Sequence, residues 1–414
     1  MTIRDDMLDL IRSHQYGYSL PQPFYKDPEF FKQDLELIWY RDWLFAGHDC
    51  ELTKPGHYIT LQVGAYPVVV VRGRDGEIRA FHNSCRHRGS RVCLKEKGTT
   101  AKLVCPYHQW TYDLDGKLLF ARQMGDDFDP SQHSLKPVAC ERVAGYIFIC
   151  LADEPADFQP VRDLVEPYFL PHDLANAKVA HETTIIEEGN WKLVWENNRE
   201  CYHCAGNHPE LCKTYPEAPS VTHITGEATD PEMSAHWRKC ESAGLPARFH
   251  MHESGQFRAI RSPLLGDSVS YTMNGKPAVS RNLSDLAVDG IGALMLFHYP
   301  SSWNHVLKDH AVTFRVMPLG PNRTAVTTKW LVHKDAVEGV DYDLENLTHV
   351  WNHTNDQDRQ IVEENARGIE SPAYEPGPYS ELHEGGVIQF VEWYKEFMAP
   401  RLQGAGARPL KDVA

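Results

Sequence analysis

Two short segments of the chain each pair one cysteine with one histidine, a combination that can hold a metal cluster. Cys85-x-His87 and Cys105-x-x-His108 are separated by 17 residues. On facing hairpin tips, the two thiolates can bind one iron and the two imidazoles another, as in a two-iron, two-sulfur cluster with mixed ligands. Imidazole ligands raise the reduction potential and suit one-electron transfer. A zinc site is the alternative, but zinc fingers usually pair Cys with Cys and His with His.

A second group of possible ligands lies between residues 200 and 208. His203 and His208 would point about 140° apart on a continuous helix. Because Gly206 permits a turn and Pro209 favours an extended conformation before it, we expect the helix to break after His203. Two histidines and one carboxylate form the facial triad of mononuclear iron(II) sites, which leaves positions open for dioxygen.

The same stretch admits a zinc interpretation. Cys201 and Cys204 flank His203, and His208 follows. Residues close together on a helix point in different directions, so these four side chains could converge only if the helix unravelled. The iron interpretation is favoured by the first site, since an electron-transfer cluster needs an acceptor.

The sequence pattern divides the chain that must position these residues into three regions of different secondary structure. Residues 1–43 are expected to form a helical segment, 44–155 a small all-β domain of antiparallel hairpins, and 156–414 a larger α+β domain. A linker is expected at 153–163, a long helix at 342–368, and residues 213–290 are weakly patterned. The predicted strands cover 57–63, 67–72, 78–83, 103–106, 145–151, 311–316 and 324–332.

The composition excludes several classes of protein. Hydrophobic residues make up 42% of 414, yet the longest apolar stretches fall well below the roughly 20 residues of a membrane span. A net charge of -15 disfavours nucleic acids and anionic membranes as partners. No secretory signal is evident, so a cytoplasmic location is expected. The ten cysteines indicate reduced thiols or metal ligands rather than a disulfide framework.

The motifs C-R-H-R-G and C-P-Y-H-Q-W-T-Y-D-L-D-G resemble those of the Rieske non-haem iron oxygenases. The resemblance implies a small all-β Rieske domain and an α+β catalytic domain with an antiparallel sheet flanked by helices. It implies that Cys85, His87, Cys105 and His108 hold a [2Fe-2S] cluster. Gln109 departs from the glycine that many relatives have between the last histidine and the tryptophan.

The resemblance also assigns the second site. It implies that His203 and His208 bind a mononuclear iron, and that Glu200, as a catalytic residue, links the two metal centres. The third ligand is expected to be a late aspartate in a D-x4-E-x4-G pattern, which Asp358 matches, with Asp356 as the alternative. An exposed helix carboxylate is the ordinary role for such a residue.

Longer matches make the chain most similar to the betaine-demethylating branch of the family, among them E-N-N-R-E-C-Y-H-C-A-G-N-H-P-E-L. They imply a terminal oxygenase that N-demethylates a quaternary ammonium betaine, glycine betaine before proline betaine, releasing formaldehyde. A Rieske dioxygenase acting on an aromatic acid is the alternative. Since no dinucleotide-binding G-x-G-x-x-G motif is present, electrons are expected from a separate NAD(P)H-dependent reductase. The family alone implies a homotrimer.

A quaternary ammonium group cannot donate hydrogen bonds, so its site should offer aromatic faces for cation-π attraction. Trp195 and Tyr202 beside the metal motif, and Trp303, are the candidates, although aromatic residues more often belong to a core. The sequence singles out no arginine for the substrate carboxylate.

Overall fold

The computed structural model describes residues 2–216 and 231–404. The chain divides into two compact units, one formed by residues 39–157 and the other by residues 2–38 together with 158–404. Within the described part of the chain, no helix combines the length and apolar character needed to cross a membrane.

The unit of residues 39–157 is built from β-strands. A seven-stranded antiparallel sheet has the order β1-β10-β9-β4-β3-β2-β5, and a separate three-stranded sheet has the order β6-β7-β8. The small sheet positions the second cysteine and histidine segment, which lies between β6 and β7, whereas Cys85 and His87 lie between β4 and β5 of the larger sheet. The ten strands are β1 Leu44–His48, β2 His57–Val63, β3 Tyr66–Arg72, β4 Ile78–His82, β5 Lys97–Thr99, β6 Leu103–Val104, β7 Thr111–Tyr112, β8 Leu118–Phe120, β9 Pro137–Val143 and β10 Tyr146–Cys150.

The other unit is organised around a second seven-stranded antiparallel sheet. Its order is β11-β17-β16-β15-β14-β13-β12, so strands β13 to β17 form a continuous meander with β11 added beside β17. Strands β13 to β17 are buried along nearly their whole length, as expected of strands that are covered on both faces, whereas β11 is mostly half-buried and β12 is exposed. The strands are β11 Ala177–Glu187, β12 His250–Met251, β13 Phe257–Ser262, β14 Ala293–His298, β15 Ser302–Val306, β16 Ala311–Gly320 and β17 Arg323–His333.

Helices accompany this sheet and carry the second group of candidate ligands. Asn190 caps the first turn of α5 through its side chain, and Asp343 caps α8 in the same way. The described helices are α1 Ile3–Ser13, α2 Pro23–Lys26, α3 Pro28–Asp34, α4 Gln159–Phe169, α5 Trp191–Asn198, α6 Cys204–Asn207, α7 Pro231–Ser242, α8 Leu344–Ile369 and α9 Gly385–Leu402.

Two buried polar groups fasten α5 to the N-terminal segment. The ammonium of Lys192 is paired with Asp34, which also accepts hydrogen bonds from Trp191 Nε1 at 3.1 Å and Tyr394 Oη at 2.6 Å. All four are buried. The start of the chain therefore belongs to the same unit as the helix that leads to Glu200.

The expected fold class is confirmed: a small all-β part and a larger part that mixes helices with an antiparallel sheet. The predicted linker at 153–163 is wrong at its end, because α4 already begins at Gln159. In the weakly patterned region, α7, β12 and β13 emerge, and residues 217–230 lie outside the described residues.

Candidate metal centres

Two tight turns of matching geometry carry the first group of candidate ligands. The amide of Gly89 donates to the carbonyl of Cys85 at 2.9 Å, and the amide of Gln109 donates to that of Cys105 at 3.1 Å. The fifth residue of each turn is left-handed, with φ of 80° at Gly89 and 62° at Gln109. Glutamine is strained in this region where glycine is not. The departure at Gln109 therefore affects the backbone of the turn.

The turns hold the thiols inside and the imidazoles outside. Cys85 and Cys105 are 4% and 1% exposed, whereas His87 is exposed and His108 is half-buried. The two imidazole rings lie 4.7 Å apart between centroids. Burial raises the pKa of the Cys85 thiol. This donor set fits a cluster that has one buried, thiolate-bound iron and one iron near the surface bound by imidazoles.

Two neighbours of these ligands were missed in the sequence. The hydroxyl of Tyr112 lies 3.2 Å from Cys85 Sγ and accepts a hydrogen bond from the amide of Arg86 at 3.0 Å. The hydroxyl proton of Tyr112 can therefore be donated to the Cys85 sulfur. The ring of Trp110 stacks on His87 with a centroid distance of 4.9 Å and an interplanar angle of 7°. The two aromatic residues lie two and four residues after His108 in sequence, which is the signal that could have identified them.

The second group of ligands follows a helix that ends earlier than expected. Helix α5 stops at Asn198, five residues before His203, and a turn leads into the four-residue helix α6. His203 is the residue just before α6, and His208 is the residue just after it, where the backbone leaves the helical conformation with φ -120° and ψ 67°. The predicted break is thus confirmed in kind but wrong in position. Glu200 and His203 share a turn rather than a helical face.

Three ligand atoms converge at this turn. His203 Nε2 and His208 Nε2 are 2.9 Å apart, and Asp358 Oδ1 lies 3.4 Å from the first and 3.0 Å from the second. Such mutual distances suit three atoms that share one metal ion, with the rest of the coordination sphere left open. Two nitrogens and one carboxylate oxygen match the donor set of a non-haem iron(II) site.

Helix α8 delivers the carboxylate because of its periodicity. Leu347, Trp351, Thr354 and Val362 are buried at helical spacing, and Asp358 falls on the same stripe. Asp356 lies elsewhere on the helix, with its carboxylate 58% exposed and bound to Arg359 at 2.5 Å. The structure therefore brings Asp358, and not Asp356, to the two imidazoles.

The electrostatics of the site are those of a cation-binding pocket. Burial lowers the pKa of His203, but hydrogen bonds to Asp358 and Glu200 outweigh it and raise that pKa to about 9. Burial raises the pKa of Asp358, yet its bonds to the two histidines lower it overall. The carboxylates thus create a negative potential at the point where the imidazole nitrogens meet.

The outer nitrogen of each imidazole is also held. Glu200 Oε1 binds His203 Nδ1, and Gln357 Oε1 lies 2.8 Å from His208 Nδ1. Gln357 in turn donates to Glu210 at 2.9 Å. Fixing Nδ1–H presents the Nε2 lone pair to the centre, the usual function of the groups behind metal-binding histidines. Gln357 was missed in the sequence, although its position beside Asp358 could have indicated it.

Family models match both units. Residues 42–136 match the Rieske [2Fe-2S] domain, and residues 174–400 match the ring-hydroxylating alpha subunit (catalytic domain). The chain belongs to the Rieske ring-hydroxylating oxygenase family. This oxygenase is 50% identical over 405 residues to the glycine betaine monooxygenase oxygenase subunit of Chromohalobacter salexigens, with 96% of this chain and 90% of the relative covered. It is also 50% identical over 396 residues to that of Pseudomonas aeruginosa, with 95% and 92% covered.

Solved structures support the fold. A quaternary ammonium Rieske monooxygenase in complex with L-carnitine aligns with a TM-score of 0.69 at 20% identity, covering 94% of this chain and 98% of that one. Naphthalene 1,2-dioxygenase from Rhodococcus sp. aligns with a TM-score of 0.66 at 19% identity, covering 96% and 97%. The oxygenase thus shares its architecture with members that act on quite different molecules.

One disulfide departs from the expectation of reduced thiols. Cys201 and Cys204 are bonded, with Cα atoms 4.9 Å apart. Because α5 ends at Asn198, the turn that follows can bring these two cysteines together. Cys204 also lies within 4.8 Å of the imidazole ligand atoms, but its sulfur is already bonded.

The three aromatic candidates for the cation site do not come together in this oxygenase. Tyr202 is 58% exposed and stacks on His383 with centroids 4.9 Å apart. Trp195 is fully buried, donates from Nε1 to the carbonyl of Pro300 at 2.6 Å, and meets Trp303 edge-on at 5.3 Å. Of the three, Trp303 alone is both buried and left with an indole N–H that has no partner.

Proposed function

We propose that this protein is the terminal oxygenase component that N-demethylates a quaternary ammonium betaine, glycine betaine before proline betaine. The observation that carries the proposal is the convergence of two imidazole nitrogens and the Asp358 oxygen within 3.4 Å of one another. The 50% identity to glycine betaine monooxygenase oxygenase subunits supports the substrate class. An aromatic acid as substrate has weaker support, since anthranilate 1,2-dioxygenase large subunit is 29% identical over about half of the chain.

The reaction consumes one dioxygen and two electrons. Glycine betaine, dioxygen, two electrons and two protons yield dimethylglycine, formaldehyde and water, because hydroxylation of an N-methyl group gives a carbinolamine that breaks its carbon–nitrogen bond. When bound, the [2Fe-2S] cluster supplies one-electron transfer and the mononuclear iron supplies dioxygen activation. Cys85, Cys105, His87 and His108 would hold the cluster, and His203, His208 and Asp358 would hold the iron.

The protein's own groups prepare the site. Glu200 and Gln357 keep a proton on Nδ1 of the two imidazoles, so that Nε2 remains a lone-pair donor. Trp303 offers a ring face to the substrate cation, with Phe314 stacked behind it at 5.0 Å. The electrons come from a separate NAD(P)H-dependent reductase. A homotrimer and a cytoplasmic location stay predictions, and the mass of the purified holoprotein in solution tests the first.

Formaldehyde release tests the function. The holoprotein with a compatible reductase should release formaldehyde from glycine betaine, less from proline betaine, and none from an aromatic acid. A hydroxylated arene without formaldehyde would instead support the dioxygenase alternative. Iron and acid-labile sulfide analysis tests the zinc alternative, because zinc without sulfide would exclude both oxygenases.

A matched pair of variants tests the ligand assignment. Asp358→Ala should lose the mononuclear iron and retain the iron-sulfur absorption, because the proposed centres share no ligand. Asp356→Ala removes an exposed carboxylate from the same helix and should retain both metals. The opposite pattern would show that the wrong aspartate has been assigned.

Glu200 tests the connection between the centres. Family resemblance suggests that this carboxylate also binds a cluster histidine of a neighbouring subunit. Glu200→Gln conserves shape but substitutes an amide, which accepts through one atom only. We expect the variant to keep both metals while electrons pass from the reduced cluster far more slowly. Normal cluster reoxidation in a single turnover would leave Glu200 with only its bond to His203.

A further inference from the structure

Two arginines near the second centre are buried without a negative partner. Arg199 is 4% exposed and Arg258 is fully buried. Both donate to the amide oxygen of Gln389, Arg199 at 3.4 Å and Arg258 at 2.8 Å. Across residues 2–216 and 231–404, neither forms an ion pair with a carboxylate. The Nε atom of each is buried and lacks a hydrogen-bond partner.

Neutral partners compensate only part of this burial. Arg258 also donates hydrogen bonds to the Tyr299 hydroxyl and to the carbonyl of Gly255, and aromatic rings lie against both guanidinium groups. The guanidinium carbon of Arg199 lies 4.1 Å from the ring centre of Phe297, and that of Arg258 lies 4.1 Å from the ring centre of Tyr299. Ring faces attract a cation but carry no net charge. Burial, together with the positive charge of Arg199, lowers the pKa of Arg258 to about 10, although Tyr299 opposes the decrease. The pair therefore lacks an anion.

The strand register places this pair beside the candidate cation site. Arg258 on β13 is opposite Phe297 on β14, Phe297 is opposite Trp303 on β15, and Trp303 is opposite Phe314 on β16. Residues directly opposite in antiparallel strands have side chains on the same face as close neighbours. The row thus begins at the guanidinium of Arg258, continues with the Phe297 ring that contacts Arg199, and reaches Trp303, whose indole N–H has no partner. Arg199 itself is four residues before His203.

This order matches the chemistry of a betaine. In glycine betaine one methylene separates the quaternary nitrogen from the carboxylate, so the subsites for the two charges must be adjacent. A carboxylate takes paired N–H donors from a guanidinium fork, and a quaternary ammonium takes a ring face. Building on the proposed function, we propose that Arg199 and Arg258, with Gln389 between them, bind the substrate carboxylate while the trimethylammonium group lies against Trp303.

The test compares a zwitterion with a simple cation. Calorimetric titration of the anaerobic holoprotein measures the affinity for glycine betaine and for tetramethylammonium, which lacks the carboxylate. The variant Arg199→Gln should bind glycine betaine at least about 30-fold more weakly than the wild type, because it breaks a buried charge pair. Tetramethylammonium binding should be unchanged. Arg199→Lys should fall between, because it keeps the charge and loses the fork.

Arg261 provides a matched control. It is also fully buried and lies on β13, three residues after Arg258 and therefore on the opposite face, where it contacts His172 at 3.0 Å. Arg261→Gln should preserve the ratio of the two affinities, even if it lowers the melting temperature. The iron-sulfur absorption of each variant checks that it folds.

The outcomes separate this inference from the proposed function. Equal weakening of both ligands by Arg199→Gln, or no weakening at all, would overturn the carboxylate subsite. A wild-type protein that binds neither ligand and releases no formaldehyde from glycine betaine would instead overturn the function. Should the variant fail to fold, the carboxamide of glycine betaine is titrated into the wild type. Because it keeps the quaternary ammonium and replaces the carboxylate by an uncharged amide, its affinity should be lower by the same factor, and an affinity equal to that of glycine betaine would refute the subsite.

Discussion

Glu196 makes the stability of the catalytic unit depend on pH in an unusual direction. This carboxyl on α5 is 9% exposed and accepts hydrogen bonds from Tyr25 at 2.8 Å and from Tyr379 at 3.0 Å. Burial raises its pKa from the ordinary 4.5 to about 7, although the two hydroxyls oppose the rise. The folded protein therefore binds this proton more tightly than the unfolded chain.

The sign and size of the effect follow from linkage. A pKa that is higher in the folded state contributes stability below pH 4.5, and this stability is lost as the pH rises through 7. Each pH unit between the folded and unfolded pKa values corresponds to about 1.4 kcal/mol, so the loss is roughly 3 kcal/mol. The glutamine of Glu196→Gln cannot ionise, so this variant should not show the pH-dependent loss of stability.

Urea unfolding between about pH 5 and pH 8.5 measures the effect as a difference between variant and wild type. As the pH rises across this range, the free energy of unfolding of Glu196→Gln minus that of the wild type should increase by about 2.5 kcal/mol. Tyr379→Phe removes a hydrogen bond that lowers the pKa of Glu196. This variant should therefore lose more stability than the wild type as the pH rises. Parallel profiles for wild type and Glu196→Gln would refute the reasoning, because they would mean that the carboxyl has the same pKa in both states.

Three further changes probe other parts of the molecule. Lys192→Met leaves the buried Asp34 without its counter-ion and should lower the free energy of unfolding by about 3–5 kcal/mol in urea, while a loss under 1 kcal/mol would contradict the pairing. Tyr112→Phe removes the hydroxyl beside the Cys85 sulfur and should lower the cluster potential in a redox titration, where an unchanged potential would show that no such bond exists. Gln357→Leu removes the hydrogen bond to His208 Nδ1 and should weaken iron binding about 10- to 100-fold in a chelator competition. A lower melting temperature with an unchanged metal affinity would show that Gln357 has only a structural role.

Local patterns carried much of the prediction. Strand β2 occupies the predicted 57–63, and the long helix predicted at 342–368 is α8 at Leu344–Ile369. Alternation and helical periodicity are properties of neighbouring residues, so they survive in the folded chain. Boundaries were less accurate where a turn competes with a helix, as at the end of α5. There the amides of Tyr202 and His203 donate hydrogen bonds to the Glu200 carboxylate and stabilise the turn instead.

The ligand types and their local spacing were determined by the sequence itself, since each short segment must present its own cysteine and histidine or its own two histidines. Which distant group meets them was decided by tertiary structure. The burial of one stripe of α8 selects Asp358 over Asp356, and strand register aligns Arg258, Phe297 and Trp303 from three separate strands. Short spacing constrains the directions of neighbouring side chains, whereas Asp358, which is 150 residues after His208, meets it only through the packing of whole elements.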